Sequence, residues 1–212
     1  MNADTLNSLD LKLFRKKIRL LRRQLRPEQQ HKAASRLCKT LGSSPIFLRS
    51  RHIAFYLPND GEIDSTLLME RAWKLKKTCY LPVLAPLDKK LLFVSYNKGD
   101  ELRFNQYGIP EPLLQPDKTR AAWTLDLVIT PLVAFDLQGH RLGMGGGYYD
   151  RTFAFIQKAN KPKTPKFVGV AHAFQQCPAL PRQNWDVSLD AVFTDNSQFI
   201  WARTEKKGPS GS

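Results

Sequence analysis

Apolar side chains near the start of the chain recur at spacings of three and four. They place Leu11, Phe14, Ile18, Leu21 and Leu25 on one face of a helix over residues 11–26. Pro27 interrupts that pattern, and residues 28–41 read as a second helix that stops at Gly42. From there the chain switches between two periods. Residues 52–57 (HIAFYL), 78–84, 91–95, 126–131 (DLVITP), 166–171 and 191–194 predict strands, while residues 65–76 and 149–158 predict helices. Residues 58–64 (PNDGEID) read as a turn, and residues 98–120, rich in Pro and Gly, as irregular chain. Strands separated by helical segments argue for a mostly parallel sheet covered on both faces. The expected fold class is α/β: a single three-layer domain over residues 11–203, with a mostly parallel central sheet, helices on both faces and a basic N-terminal helix. Residues 1–10 are expected to be flexible, and the Gly/Ser/Pro-rich residues 204–212 to form a disordered tail.

Composition excludes several classes. No run of about 18 apolar residues appears, and no apolar leader with a small-residue cleavage site is present. A cytoplasmic protein without a membrane partner is therefore expected. Cys38, Cys79 and Cys177 are far apart and form no CxxC pair, which fits a reducing compartment rather than a disulfide framework. His31, His52, His140 and His172 are scattered, so no zinc-type site is expected.

Charge changes the picture more. The net charge is +14, which predicts attraction to polyanions: nucleic acid, an acidic membrane surface or a polyanionic small molecule. Residues 11–26 alone carry eight Lys or Arg and no acid. On that helix Arg15, Arg19 and Arg22 form a stripe beside the apolar one, so their heads can converge on one anion.

The densest chemistry lies at residues 139–151, GHRLGMGGGYYDR, between the strand at 126–131 and the helix expected from 149. A glycine-rich turn between a strand and a helix leaves main-chain N–H groups bare at the positive end of a helix dipole, where anions bind. The segment departs from the common phosphate fingerprints. No Lys-Ser/Thr follows the glycines, and Tyr148 stands at the last glycine position of GxGxxG. A purely structural turn has the same glycines but little use for Arg141, Tyr148, Tyr149, Asp150 and Arg151 around them.

Carboxylates near that loop have two readings each. Asp150 is either a first-turn dipole partner or a ligand to Mg²⁺ beside bound phosphates. Asp186 and Asp190 are alternatives for a second carboxylate, and spacing does not rank them. Glu62 is either a solvated turn acid or a ligand-facing group at the carboxyl end of a strand. His172 ends a strand and reads as a polar cap.

Together these motifs resemble the 5-formyltetrahydrofolate cyclo-ligase family, also called 5,10-methenyltetrahydrofolate synthetases. The resemblance rests first on residues 131–151, PLVAFDLQGHRLGMGGGYYDR. YLPNDGEID at 56–64, YGIPEP at 107–112, VGVAH at 168–172 and WDVSLDAVFT at 185–194 follow the family's order. It implies an ATP- and Mg²⁺-dependent enzyme that converts 5-formyltetrahydrofolate to 5,10-methenyltetrahydrofolate. ADP and phosphate would be released, with phosphoryl activation of the formyl oxygen. By that resemblance Arg15 and Arg19 reach the ATP phosphates, together with the loop Arg141, Leu142, Gly143, Met144, Gly145, Gly146, Gly147, Tyr148 and Tyr149. Leu57 and Glu62, with Met144 to Tyr148, border the folate; Asp150 and Asp186 hold Mg²⁺; Arg141 and Tyr148 take part in the chemistry. The family usually has Lys where this chain has Arg15, and some members carry Lys in place of Gly146. A monomer with no specific nucleic-acid partner is expected.

Two other classes share parts of the pattern. A nucleic-acid-binding protein would use the basic helix along a phosphate backbone, but no helix-turn-helix, KH or RRM signature is apparent. A sugar-phosphate isomerase or transferase would use the same kind of anion loop, which alone does not choose a substrate.

Overall fold

The structure is a computed structural model that describes residues 8–157 and 165–201. Residues 1–7 of the expected flexible start, the final residue of the helix expected at 149–158, and the expected tail lie outside the described residues. The strands in chain order are β1 (His52–Ala54), β2 (Thr78–Leu84), β3 (Leu91–Ser95), β4 (Leu102–Phe104), β5 (Pro110–Pro112) and β6 (Thr119–Arg120). They continue with β7 (Leu127–Pro131), β8 (Ala134–Phe135), β9 (Arg141–Leu142), β10 (Lys166–Ala171), β11 (Ala191–Thr194) and β12 (Gln198–Ile200). The α-helices are α1 (Ser8–Arg23), α2 (Pro27–Gly42), α3 (Pro45–Leu48), α4 (Thr66–Lys74) and α5 (Tyr148–Phe153).

Eight strands form one sheet in the order β12-β11-β10-β7-β1-β2-β3-β6. The five from β11 to β2 run parallel, and the flanking strands are antiparallel to their neighbours. The mostly parallel α/β sheet expected from the pattern is therefore present. Its strands are near-continuous apolar runs because both faces are covered. Ile53, Leu127, Ile129, Val168, Val170, Ala191 and Phe193 pack with Leu37 and Leu41 of α2, Phe47 of α3, and Leu68 and Ala72 of α4. The alternate residues Ala54, Val128, Phe167 and Val192 pack with Phe93 and with Phe153 of α5. The basic helix α1 covers neither cluster. Its Ile18, Leu11 and Phe14 pack on Val133, Ala134 and Leu142, around the small β8–β9 hairpin.

Several expectations need correction. Residues 98–120 are not irregular: β4 and β5 form a hairpin and β6 joins the main sheet. Asn105 makes that turn, its Oδ1 accepting from Tyr107 N at 2.9 Å and Ile109 N at 3.2 Å, while Pro110 and Pro112 keep β5 short. The strand expected at 52–57 stops at Ala54, before Pro58 and the turn. The helix expected at 149–158 has only six α-helical residues and then tightens to a 3₁₀ turn, Ala154–Gln157. On α1, Leu21 is 39% exposed and Arg22 only 1% exposed, so the arginine takes the inward position given to leucine.

Gly169 of β10 shows how tight the sheet face is. A Cβ there would lie 2.6 Å from Leu132 Cδ2 and 2.9 Å from Leu189 Cδ1, both in buried side chains. Gly169→Ala is expected to lower stability by about 1–2 kcal/mol, read as a lower urea midpoint at unchanged slope. An unchanged midpoint would mean that the two leucines relax freely.

Candidate active site

The strand order creates a crevice. Moving along the chain, β1 is followed by β2 on one side, whereas β7 is followed by β10 on the other. Loops leaving the carboxyl ends of β1 and β7 therefore diverge, and in open α/β sheets ligands bind at such a switch point. From β1 comes the segment that carries Leu57 and Glu62. From β7 come the β8–β9 hairpin and then the glycine loop at 143–147.

The loop is built with its carbonyls tied back. Arg15 Nε donates to Gly143 O at 2.9 Å, Arg151 Nη2 donates to Gly146 O, and Arg151 N donates to Gly147 O at 3.0 Å. None of the N–H groups of Gly143, Met144, Gly145, Gly146 and Gly147 donates a hydrogen bond among the described residues. Residues 143–146 are exposed. Bare donors with restrained carbonyls form a concavity suited to an anion. The six-residue α5 adds little dipole to this, so the expected helix-dipole contribution is smaller than the longer helix would have supplied. Leu142 is buried beneath the loop, and Met144 is half exposed above it.

Tyr148 and Tyr149, side by side in sequence, face different surroundings. Tyr148 OH lies 3.0 Å from Tyr107 OH, on the β4–β5 turn, and Arg151 sits over the Tyr148 ring at 5.5 Å. Tyr149 stacks on Phe153, and burial pushes its phenol well up, against a hydrogen bond with Thr130.

Of the arginine stripe on α1, only Arg15 is brought to the loop. Arg19, Arg22 and Arg23 converge on an anion as expected of a cationic face, but that anion is Asp60 of the chain itself. Arg19 Nε donates to Asp60 Oδ2 at 2.6 Å, Arg22 Nη2 to the same oxygen at 2.9 Å, and Arg23 Nε to Oδ1. Burial pushes the Asp60 carboxyl up, but the hydrogen bonds from these arginines outweigh it and hold it below its usual value. Gly61 follows in the left-handed region (φ +71°), with its missing Cβ 2.7 Å from Arg22 O, so the turn closes directly on the helix backbone.

Glu62 is not a solvated turn acid. Its side chain is 12% exposed, Oε2 accepts from Asn59 N at 3.1 Å, and Oε1 lies 3.8 Å from Arg22 Nη1. Burial raises its pKa from 4.5 to about 7, against the pull of Arg22. Leu57 is half-buried against the cluster that contains Ile63. His172, at the end of β10, is buried and donates from Nε2 to Gly61 O at 3.2 Å, so the expected polar cap holds the Glu62 turn.

Arg141, Asp150 and Asp186 form the other edge. Arg141 is buried over Phe167 at 4.8 Å and donates to Val187 O and to Asp150 Oδ1. Burial lowers the Arg141 pKa while Asp150 first, then Asp186, raises it; only Asp150 bonds the guanidinium, and Asp186 Oδ2 accepts from Gln183 N at 2.8 Å. Asp190 is spent elsewhere, on Phe167 N at 2.7 Å and Lys166 Nζ at 3.3 Å. Among the described residues no group of three or more His, Cys, Asp or Glu gathers to hold a metal. Asp150 and Asp186 are of the chemical kind Mg²⁺ takes, one or two carboxylates with phosphate oxygens and water completing its shell.

Asp60, Arg23, Gln30 and Tyr107 were not singled out as site residues by sequence, and Arg22 only as part of the cationic stripe. Gln30 Nε2 also donates to Gly61 O, at 3.1 Å. The signal for the burial of Arg22 was its position four residues after Ile18, in phase with the buried face.

Fold and site together define an α/β protein in which a glycine loop with bare N–H groups and a buried carboxyl follow the two strands at the switch point. The family model for the 5-formyltetrahydrofolate cyclo-ligase family matches residues 8–195. The 5-formyltetrahydrofolate cyclo-ligase of Escherichia coli K12 is 41% identical over 185 residues, 87% of this chain and 100% of that one. The Haemophilus influenzae protein of that name is 40% identical, covering 87% and 97%. The solution structure of Aquifex aeolicus 5,10-methenyltetrahydrofolate synthetase superposes with a TM-score of 0.75 at 29% identity, covering 95% of this chain and 99% of that one. The chain belongs to the 5-formyltetrahydrofolate cyclo-ligase family and is an enzyme of that kind.

The raised Glu62 carboxyl has a stability consequence. Between 4.5 and about 7 the folded protein keeps a proton on Glu62 that the unfolded chain releases, so this contribution is lost as pH rises through that window. Glu62→Gln should therefore match wild-type stability at acid pH and exceed it at pH of about 8, by roughly 3 kcal/mol at most. Urea unfolding at the two pH values checks this; a pH-independent difference would place the Glu62 titration near its ordinary value.

Proposed function

We propose that the protein converts 5-formyltetrahydrofolate to 5,10-methenyltetrahydrofolate with ATP, releasing ADP and phosphate. What supports this reading is that the neighbouring strands β1 and β7 lead at one switch point into the buried carboxyl of Glu62 and into a loop whose five main-chain N–H groups have no partner among the described residues. One side suits a triphosphate and the other the N–H edge of a pterin.

The formyl oxygen is a poor leaving group, so ring closure needs it activated. The γ-phosphoryl group of ATP passes to that oxygen and ADP is formed. The lone pair of N10 then attacks the formyl carbon, N10 loses its proton, and the carbon–oxygen bond breaks as phosphate leaves. Such a sequence asks for alignment and charge neutralisation more than for a protein nucleophile. The N–H groups of Gly143 to Gly147 would receive phosphate oxygens, with Arg15 supporting the loop and adding charge. Arg19, which is 37% exposed at its side chain, would have to leave Asp60 to reach them. Asp150 and Asp186 would hold Mg²⁺, which supplies neutralisation of phosphate charge when bound. Arg141 would aim Asp150, to which it is hydrogen bonded. Tyr148, Met144 and Leu57 would border the folate, and Glu62 would bond the pterin.

The engagement of the basic stretch within the chain favours the folate reading over the nucleic-acid one. Arg15, Arg19, Arg22 and Arg23, half of the cations on the basic stretch, are engaged by partners within the chain.

Mixing protein, ATP, Mg²⁺ and 5-formyltetrahydrofolate is expected to give a rising near-ultraviolet absorbance from the methenyl product. A flat trace from folded protein would reject the activity. Glu62→Gln should raise the folate KM by about tenfold or more, the worth of a charged hydrogen bond, with little change in the ATP KM. Asp150→Asn should lower kcat by about tenfold or more and shift the Mg²⁺ requirement upward. An unchanged Mg²⁺ dependence would remove Asp150 from the metal site.

A further inference from the structure

Arg22 has no part in the reaction as described above, yet it is the most completely buried charged side chain near the site, at 1% exposure. We propose that Arg22 is the positioning residue for Glu62: fastened by Asp60 and the Leu132 carbonyl, its guanidinium fixes the place of the Glu62 carboxyl and sets its protonation without forming a full ion pair with it. The functional importance of that carboxyl rests on the folate reading; the hold of Arg22 on it does not.

Geometry separates the two carboxylates. Arg22 Nη2 lies 2.9 Å from Asp60 Oδ2, a charged hydrogen bond, whereas Nη1 lies 3.8 Å from Glu62 Oε1, beyond one. Nη1 also points 3.4 Å from Leu132 O, at the end of the segment leaving β7. Nε is buried without a hydrogen-bond partner. A guanidinium cannot leave its charge behind by losing a proton, so burying it requires an anion nearby. Asp60 is that anion, and Arg19 and Arg23 hold Asp60 ionised. Glu62 therefore feels the positive charge at a distance while its neighbour takes the bond.

The turn between the two acids is clamped from three elements. Gly61 O accepts from Gln30 Nε2 of α2 and from His172 Nε2 after β10, and Arg22 O lies against Gly61 itself. Other groups facing Glu62 are Arg19 on α1, Asp60 and Asn59 N in its own turn, Tyr56 after β1 and Tyr149 on α5. Of these, Arg22 and Arg19 favour the carboxylate and Asp60 opposes it. Arg22 and Asp60 thus pull the Glu62 titration in opposite directions, and that opposition is testable.

The experiment follows the Glu62 side-chain carboxyl by ¹³C NMR in ligand-free protein labelled on glutamate, with Glu62→Gln identifying its resonance. Arg22→Met should move the Glu62 midpoint up and Asp60→Asn should move it down, each by about half a pH unit or more. Arg22→Lys keeps the charge but loses the fork, so the midpoint should stay nearer wild type while the folate KM rises. Should Arg22→Met fail to fold, Asp60→Asn and Arg22→Lys still decide the matter. A Glu62 midpoint unmoved in Asp60→Asn, or in Arg22→Met where that variant folds, would overturn the proposal, since a merely structural arginine would change stability without moving the titration. Because the titration needs no substrate, the two readings fail separately. Midpoints that move while the folate KM of the same variants stays fixed would support Arg22 as the positioning residue and remove Glu62 from folate recognition.

Discussion

A guanidinium cannot be buried alone, and the docking of α1 follows from meeting that requirement. Arg22 takes its bonds from Asp60, in the turn after β1, and from Leu132 O, just beyond β7. Those two segments flank the switch point, so one side chain ties both walls of the crevice to α1. Withdrawing a charged partner from such a site costs about 3–5 kcal/mol, several times the worth of a surface ion pair. The consequences extend along the helix. Ile18, one turn earlier, seats on Ala134 and Leu142, and Arg15, roughly 10 Å from Arg22 along the axis, meets the carbonyl of Gly143. Placement of the glycine loop thus depends on a contact two turns away.

Much of the scaffold was legible because its strands are buried on both faces. The ends of β2, β3, β10 and β11 fall where β-branched and aromatic runs begin and stop. Elements stabilised by pairing rather than by their own composition were not. β8 and β9 have two residues each, and Pro110 and Pro112 disguise β5. Within the site, residues carried by local sequence stood out, such as the glycines and Asp150. Residues whose partners lie across the fold did not. Asp60 looks like any turn aspartate, and its three arginines come from about 40 positions earlier in sequence. The residue pattern alone left Glu62 with two readings and only the family resemblance chose between them, because exposure of a turn acid depends on what closes over it.

Net charge was a misleading guide to the helix for the same reason. Eight cations without an acid read as a surface for a polyanion, yet the acid that answers three of them, Asp60, sits in another element. Asp60 neutralises the inner part of the stripe, and the outer cations Lys12, Lys16 and Lys17 remain exposed. Their field would still favour an approaching triphosphate over a neutral ligand, and would do so less at high salt.

The anion-receptive character of the loop also has a different source from the one its sequence position implied. A long helix starting at residue 149 would have offered its dipole, but α5 is short and gives way to a 3₁₀ turn. What remains is local: two guanidinium contacts draw the carbonyls of Gly143 and Gly146 away from the N–H groups, and the first main-chain bond of α5 holds that of Gly147. Arg15 comes from α1 and Arg151 from α5, so both ends of the loop are restrained by elements that do not contain it. Glycines confer the freedom to adopt this shape, and the arginines remove that freedom once the fold is complete. A loop of small residues can then present fixed donors to an anion, and the wall carrying Asp60 and Glu62 is tied to the same helix two turns further on, through Arg22.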